Sequence, residues 1–255
     1  EQIKEAYPKN SSIDLEKEII NNLISVGIDD AKRVMNLYPH QLSGGMKQRV
    51  MIAMAIASKP KLLIADEPTT SLDVTIQKQV LDLLVEIRQK LNMSILFITH
   101  DLAVASQISD RIVVMRSGKI VENSESKKFF NSPDHPYSKS LLISSDYSKK
   151  INHHICSSDN PILEIKNLKV YYKEKNNFFF KPDIYIKAVD DVCISLNPGM
   201  THAIVGESGS GKSTIAKAIM GLASIKSGSI SILNKNILKM HGSSQRDFRK
   251  NYQMI

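Results

Sequence analysis

Cysteine is scarce in this sequence, and long hydrophobic runs are missing from it. Only two of the 255 residues are cysteines, Cys156 and Cys193, which lie far apart without metal-binding spacing, so a reducing cytosol is the simplest setting. The longest apolar runs, such as Val50 to Ala57, fall well short of the roughly 20 residues that span a bilayer. The N-terminal segment has neither the basic start nor the apolar core of a signal peptide, and it begins at Glu1 rather than Met. We therefore expect no transmembrane helix, no export signal and a truncated beginning.

Acidic residues are fewer than basic residues in this sequence. The chain has 34 Lys and Arg against 26 Asp and Glu, a formal net charge of +8. Such an excess could favour nucleic acid, an anionic membrane face or phosphorylated ligands. Because the lysines are scattered and aromatic residues make up only 6%, a solvated Lys-rich surface is the preferred interpretation. No nucleic-acid partner is expected.

Apolar spacing predicts strands and helices that alternate along the chain. The first unit is predicted to contain two short helices over 13–37, a helix over 46–57, a strand over 61–65, a helix over 74–91, a strand over 94–98, a hairpin over 111–121 and a helix over 138–143. A polar stretch over 146–161 is the predicted boundary. The second unit is predicted to contain strands over 162–172, 184–196 and 201–205 and a helix over 212–222. Strands separated by helices favour a parallel sheet covered on both faces, so the predicted fold class is α/β.

A glycine-rich loop follows the strand over 201–205. Its sequence is Gly206-Glu207-Ser208-Gly209-Ser210-Gly211-Lys212-Ser213-Thr214, which matches the phosphate-loop pattern between a strand and a helix. The glycines permit inward-pointing N–H groups, and the helix N-terminus adds positive potential. Lys212 would reach the β- and γ-phosphates of ATP, and Ser213 would place its hydroxyl on Mg²⁺. The alternative is a structural glycine-rich turn.

Two carboxylates end the buried strand over 61–65. Asp66 is placed to hold Mg²⁺, and Glu67 could polarise the water that attacks the γ-phosphate. The alternative is an acidic pair that caps the following helix. His100 follows the next buried strand by one residue, at the end of the sheet where α/β proteins bind ligands.

The motifs together resemble those of the ATP-binding cassette (ABC) ATPases. Besides the phosphate loop, the chain has the signature Leu42-Ser43-Gly44-Gly45-Met46-Lys47-Gln48-Arg49 and the acidic strand Leu62-Leu63-Ile64-Ala65-Asp66-Glu67-Pro68. The resemblance implies a phosphate-loop cassette with a mainly parallel core sheet, a helical subdomain and an antiparallel β subdomain. It also implies ATP hydrolysis with Mg²⁺.

The resemblance assigns further residues to the nucleotide site. His100 would be the switch histidine that contacts the γ-phosphate, and Asp73 would belong to the loop that links two sites across a dimer. Ser43 to Gly45 would grip a nucleotide held by a second cassette. Tyr172 would stack on adenine, while Tyr171 points to the other face of its strand.

One branch of the family is favoured by sequences outside these motifs. Tyr38-Pro39-His40-Gln41, Thr75-Ile76-Gln77 and His135-Pro136-Tyr137-Ser138 resemble the oligopeptide and dipeptide importers, including fused two-cassette importers for glutathione and peptide antibiotics. This resemblance implies a peripheral protein on the cytoplasmic face of the inner membrane. Its partners would be membrane permease subunits, a second cassette and, indirectly, an extracytoplasmic substrate-binding protein.

The order of the motifs is inverted, since the phosphate loop comes last. We therefore expect an internal fragment, with 1–145 as the end of one cassette including the importer tail, 146–161 as the linker and 162–255 as the start of a second cassette. In a tandem arrangement, Lys212 would face Ser43 to Gly45. In a permuted arrangement, the strand before Gly206 would insert beside the Asp66 strand of the same chain. The position of Lys212 relative to Asp66 and Ser43 discriminates between them.

Two rival functions remain open. One is a cassette ATPase without transport, acting in translation or DNA repair, against which the His135-Pro136-Tyr137 tail argues. The other is a fragment that binds nucleotide without hydrolysing it. The transported substrate itself is not encoded in these motifs.

Overall fold

The computed structural model describes residues 12–70, 72–145, 160–173, 185–206 and 209–255. Its helices are α1 Ser12–Ser25, α2 Ala31–Val34, α3 Gly44–Ile56, α4 Val74–Leu91, α5 Leu102–Ile108, α6 Ser126–Asn131, α7 Pro136–Ser145, α8 Lys212–Ile219 and α9 Gly242–Phe248. Its strands are β1 Leu62–Asp66, β2 Ser94–Thr99, β3 Arg111–Arg116, β4 Lys119–Glu125, β5 Leu163–Lys173, β6 Tyr185–Leu196, β7 Thr201–Val205, β8 Ser227–Ile232, β9 Lys235–Asn236 and β10 Tyr252–Met254. The predicted boundary over 146–161 lies almost entirely outside the described residues.

The central sheet takes its strands from both predicted units. Its order is β10-β1-β2-β7-β3-β4, and every neighbouring pair is parallel except β3 and β4. This chain therefore has the permuted order, in which β7 enters the sheet of the first unit. The expected neighbour of β7 was wrong. We expected β7 to lie beside the Asp66 strand β1, but it pairs with β2 and β3, and β2 separates it from β1.

Two apolar layers cover the central sheet. Successive side chains of a strand point to opposite faces, so Leu62 and Ile64 pack toward the antiparallel sheet and α8, whereas Leu63 and Ala65 pack toward α1 to α4. The residues of β2 and β7 are buried throughout. Burial on both faces explains why these strands are continuous apolar runs without alternation.

A smaller antiparallel sheet lies over one face of the central sheet. Its order is β6-β5-β8-β9, and its long pair β5–β6 sets Tyr172 opposite Ile186. Leu163, Ile165 and Val170 of β5 are buried in the layer shared with the central sheet. The predicted α/β class and the mainly parallel core are confirmed, together with helical and antiparallel subdomains.

A buried ionic network holds the start of β7 in the sheet. Arg88 Nη1 donates to Asp110 Oδ2 at 2.9 Å and to Thr201 Oγ1 at 2.8 Å. The Thr201 backbone N–H donates to the same Asp110 oxygen at 2.6 Å. A helix of the first unit thus fixes the strand that leads into the phosphate loop.

Candidate functional site

The glycine-rich loop leaves β7 at the carboxyl edge of the central sheet. Gly206, Gly209 and Gly211 have φ of +155°, +80° and +100°, a region that favours glycine. A Cβ at Gly206 would collide with the carbonyl oxygen of Met115, and one at Gly211 with that of Ala188. Side chains are therefore sterically excluded at Gly206 and Gly211. Glu207 and Ser208, which were also predicted to bind nucleotide, lie outside the described residues.

Lys212 begins helix α8 and folds back over the loop. Its Nζ donates to the carbonyl oxygen of Gly206 at 3.0 Å, and the residue is buried. Burial lowers the pKa of Lys212, while the negative charges of Glu67 and Asp66 oppose that change. Ser210 Oγ is also buried, without a hydrogen-bond partner among the described residues. A buried ammonium group and a buried hydroxyl thus lie at this loop.

Ser213 meets Asp66 at the end of β1. The Ser213 hydroxyl donates to Asp66 Oδ1 at 3.0 Å. Burial raises the pKa of Asp66, and the hydrogen bond from Ser213 opposes the rise. A hydroxyl and a carboxylate are the hard oxygen donors that Mg²⁺ prefers when phosphates and water complete its coordination. The pair fits a magnesium ion bound together with nucleotide.

Glu67 and His100 form a second pair beside Lys212. His100 Nδ1 lies 3.1 Å from Glu67 Oε1, within hydrogen-bonding distance. This bond is the main cause of a lowered pKa of Glu67, and burial opposes it. The carboxylate is therefore ionised at neutral pH and can act as a base.

A cavity of about 410 Å³ is lined by some of these groups. Its lining includes Glu67, Lys212 and Ser213, the turn between β3 and β4, and one end of β6. That volume lies within the range of roughly 300–1,000 Å³ typical of small-molecule sites. Glu67 thus shares one space with part of the predicted phosphate loop, namely Gly209, Gly211, Lys212, Ser213 and Thr214. The lining does not include Gly206, Ser210, Asp66 or His100.

Tyr172 is not part of the cavity lining, although its cross-strand neighbour is. It is 41% exposed and pairs across the strands with Ile186, which lines the cavity. Tyr171 points to the other face, where its hydroxyl donates to Asp190 at 2.6 Å. Because Tyr171 pairs with Lys187, which also lines the cavity, strand pairing alone does not select one tyrosine, and adenine stacking by Tyr172 stays a prediction.

The signature residues Ser43 to Gly45 lie elsewhere. Ser43 Oγ accepts a hydrogen bond from the Met46 N–H and caps α3. Gly44 and Gly45 face Leu72 and Ile76, and a Cβ at Gly45 would come within 2.7 Å of the Ile76 side chain. Asp73 caps α4 by accepting from the N–H groups of Thr75 and Ile76. These four residues do not line the cavity of their own chain.

Several residues line the cavity although nothing in the sequence predicts that they do. Ser117 and Gly118 line the cavity because the Gly118 N–H donates to the Ser210 carbonyl at 2.9 Å. Their Ser-Gly pattern predicts a hairpin turn, but it does not predict that the turn packs against the glycine-rich loop. Ala188 and Lys187 line the cavity through the pairing of β5 with β6, which the sequence does not specify.

Comparison with known families agrees with this geometry. The model of the ABC transporter family matches residues 2–70 and 189–255, which together make up more than half of the chain. The chain belongs to the ABC transporter family. Its two matched stretches are the ones that contribute β1, β7 and β10 to the central sheet.

Individual relatives include import proteins. The peptidoglycan transport ATP-binding protein YejF of Agrobacterium fabrum is 38% identical over 100% of this chain and 46% of its own length. The glutathione import ATP-binding protein GsiA of Salmonella paratyphi A is 37% identical over 91% of this chain and 41% of its own length, and GsiA of Escherichia coli K12 is 35% identical over 100% and 45%. The chain thus spans about half the length of the curated relatives it matches. Within the described residues, no helix has the length and apolar character needed to cross a membrane.

Proposed function

We propose that this chain binds and hydrolyses ATP as part of an ABC importer that moves peptides or glutathione-like compounds. The main support is the contact of 3.0 Å between Ser213 Oγ and Asp66 Oδ1, because it joins the phosphate loop to the carboxylates within one chain. Family membership supplies independent support for nucleotide binding.

The proposed chemistry assigns one task to each group. Lys212 and the N-terminus of α8 offer positive charge to the β- and γ-phosphates. Ser213 and Asp66 would hold Mg²⁺, which supplies charge neutralisation to the phosphates when it is bound. Glu67 would accept a proton from the attacking water, and His100 would hold Glu67 and contact the γ-phosphate. Tyr172 would stack on adenine.

The import role is supported by the names of the relatives and by the sequence of the tail, whose local structure is as follows. Glu122 carboxylate oxygens accept the N–H groups of Asp134 and His135 at 3.0 Å each, and His135 Nδ1 accepts the N–H of Tyr137. The His-Pro-Tyr sequence thereby starts α7 against β4. We propose membrane permease subunits, a second cassette and an extracytoplasmic binding protein as partners, on the cytoplasmic face of the inner membrane.

For the whole protein we propose two cassettes, with residues 1–145 ending the first and 162–255 starting the second. In that whole protein Asp66 and Ser213 would belong to different cassettes, so their contact describes the site of the 255-residue chain. Ser43 to Gly45 and Asp73 would act on the nucleotide of a neighbouring cassette. This proposal rests on the motif order and on the share of each relative that the chain spans.

Binding and turnover of Mg-ATP by the 255-residue chain test the proposed activity. Lys212→Ala should weaken binding at least about tenfold, and Glu67→Gln should keep binding while slowing turnover about 100-fold or more. Lys78→Ala, at an exposed position on α4, is the matched control and should change neither. A chain that binds without turnover supports the non-hydrolysing alternative, and unchanged turnover in Glu67→Gln refutes the role of Glu67. Co-purification with ribosomes instead of permeases would refute the import role.

A further inference from the structure

The backbone of Glu67 is constrained. Glu67 has φ of +51°, and its N–H donates to the carbonyl oxygen of Ile98 at 2.9 Å. The Thr70 N–H donates to the Glu67 carbonyl oxygen at 3.1 Å, closing a turn. The backbone of Glu67 is therefore fixed by hydrogen bonds of its own.

The side chain of Glu67 is less confined than its backbone. It remains 34% exposed, and a glutamate has three rotatable side-chain bonds. A carboxylate that is hydrogen-bonded at both oxygens keeps one orientation better than a carboxylate bonded at one oxygen. His100 Nδ1 contacts Oε1.

The second oxygen is held by Thr70. Thr70 Oγ1 donates to Glu67 Oε2 at 3.1 Å. Because an ionised carboxylate only accepts hydrogen bonds, the threonine hydroxyl must be the donor. The two side chains hold the carboxylate at both oxygens, beside Lys212 and within the lining of the cavity.

We propose that Thr70 is a positioning residue of the hydrolytic site, whose hydroxyl keeps the Glu67 carboxylate oriented for the attacking water. This inference rests on the proposed hydrolysis. Thr70 acts through Glu67 and needs no contact with nucleotide.

A purely structural role for the hydroxyl is a distinct alternative. Many Ser and Thr hydroxyls bond to nearby backbone groups and stabilise turns. Here the backbone bond from Thr70 N–H already closes the turn, and the hydroxyl bonds to a side chain instead. Since Thr70 is exposed, removing the hydroxyl leaves no buried gap.

Steady-state ATPase kinetics of the full chain test the proposal. Thr70→Val keeps the shape but loses the hydroxyl, and it should lower kcat about fivefold to tenfold with KM for Mg-ATP within about twofold. Thr70→Ser retains the donor and should stay within about twofold of the wild-type kcat. Thr75→Val, an exposed threonine at the start of α4, is the matched control and should leave kcat unchanged.

The outcome separates this inference from the proposed function. A wild-type chain without turnover overturns both. A wild-type chain with turnover, combined with an unchanged kcat in Thr70→Val or with equal losses in Thr70→Val and Thr70→Ser, overturns only the role of Thr70. In a Glu67→Gln background, Thr70→Val should cause no further loss, because both changes remove the same oriented carboxylate. Additive losses would contradict positioning through Glu67.

Discussion

At the scale of the residue, the groups of the site differ in how strongly their surroundings confine them. Lys212 is buried and Asp66 is partly buried, whereas the side chains of Glu67 and His100 are 34% and 60% exposed. Burial acts against the charged form of both Lys212 and Asp66. A bound nucleotide with its cation would compensate both charges. The resting site is thus electrostatically suited to that ligand.

His202 of β7 provides a prediction about stability and pH. The residue is 1% exposed, and neither ring nitrogen has a hydrogen-bond partner among the described residues. Burial, and secondarily the charge of Arg111 on the neighbouring strand, lowers the pKa of His202 from 6.5 to about 3. The folded chain therefore holds a neutral imidazole, and the unfolded chain takes up the proton first as the pH falls. The contribution of neutral His202 to the free energy of unfolding is fully present above pH 6.5. It is lost as the pH falls from 6.5 to about 3.

This linkage can be measured by urea denaturation. Between pH 7 and pH 5 the free energy of unfolding should fall by up to about 2 kcal/mol through His202 alone. His202→Met should remove that part of the pH dependence, and His40→Gln, at an exposed histidine, should not. Equal slopes in His202→Met and the wild type would exclude His202 as the cause.

At the scale of the element, the network of Arg88, Asp110 and Thr201 decides whether β7 stays in place. The side chains of Arg88 and Asp110 are 17% and 5% exposed. Arg88→Met should lower the free energy of unfolding by roughly 3 kcal/mol, because it removes the cation from a buried carboxylate. Lys90→Met, on the same helix, breaks an exposed pair with Glu86 and should cost about 0.5 kcal/mol or less. Equal effects in urea denaturation would show that the network is no stronger than a surface pair.

The elements also show what the sequence could predict. Three strands of the central sheet were predictable, because each is an apolar run that ends at a residue of a recognisable motif. Asp66 ends β1, Thr99 ends β2 and Gly206 follows β7. β10 was missed, since Tyr252 to Met254 form a strand only by pairing with β1 at the sheet edge. The neighbour of β7 was predicted wrongly, because buried strands carry no alternation that specifies a partner. Thr70 was missed as well, since the reach of its hydroxyl toward Glu67 follows from the turn geometry.

At the scale of the whole molecule, two stretches of chain complete one sheet. β7 is buried between β2 and β3, so neither stretch alone can cover its apolar surfaces. The same interdependence brings Ser213 to Asp66, which are 147 residues apart in sequence. We therefore expect the sheet and the site to form together in this chain.

This interdependence predicts the behaviour of separated fragments. A fragment of residues 160–255 should leave the backbone N–H groups of β7 unprotected in hydrogen exchange, because their partners on β2 and β3 are missing. Mixing it with a fragment of residues 1–145 should restore protection of residues 201–205, whereas mixing with an unrelated protein should not. Protection of β7 in the isolated 160–255 fragment would show that this stretch folds without the first one. That result would favour separate units in tandem and would argue against a sheet shared within one chain, because β7 would then be protected without pairing to β2 and β3.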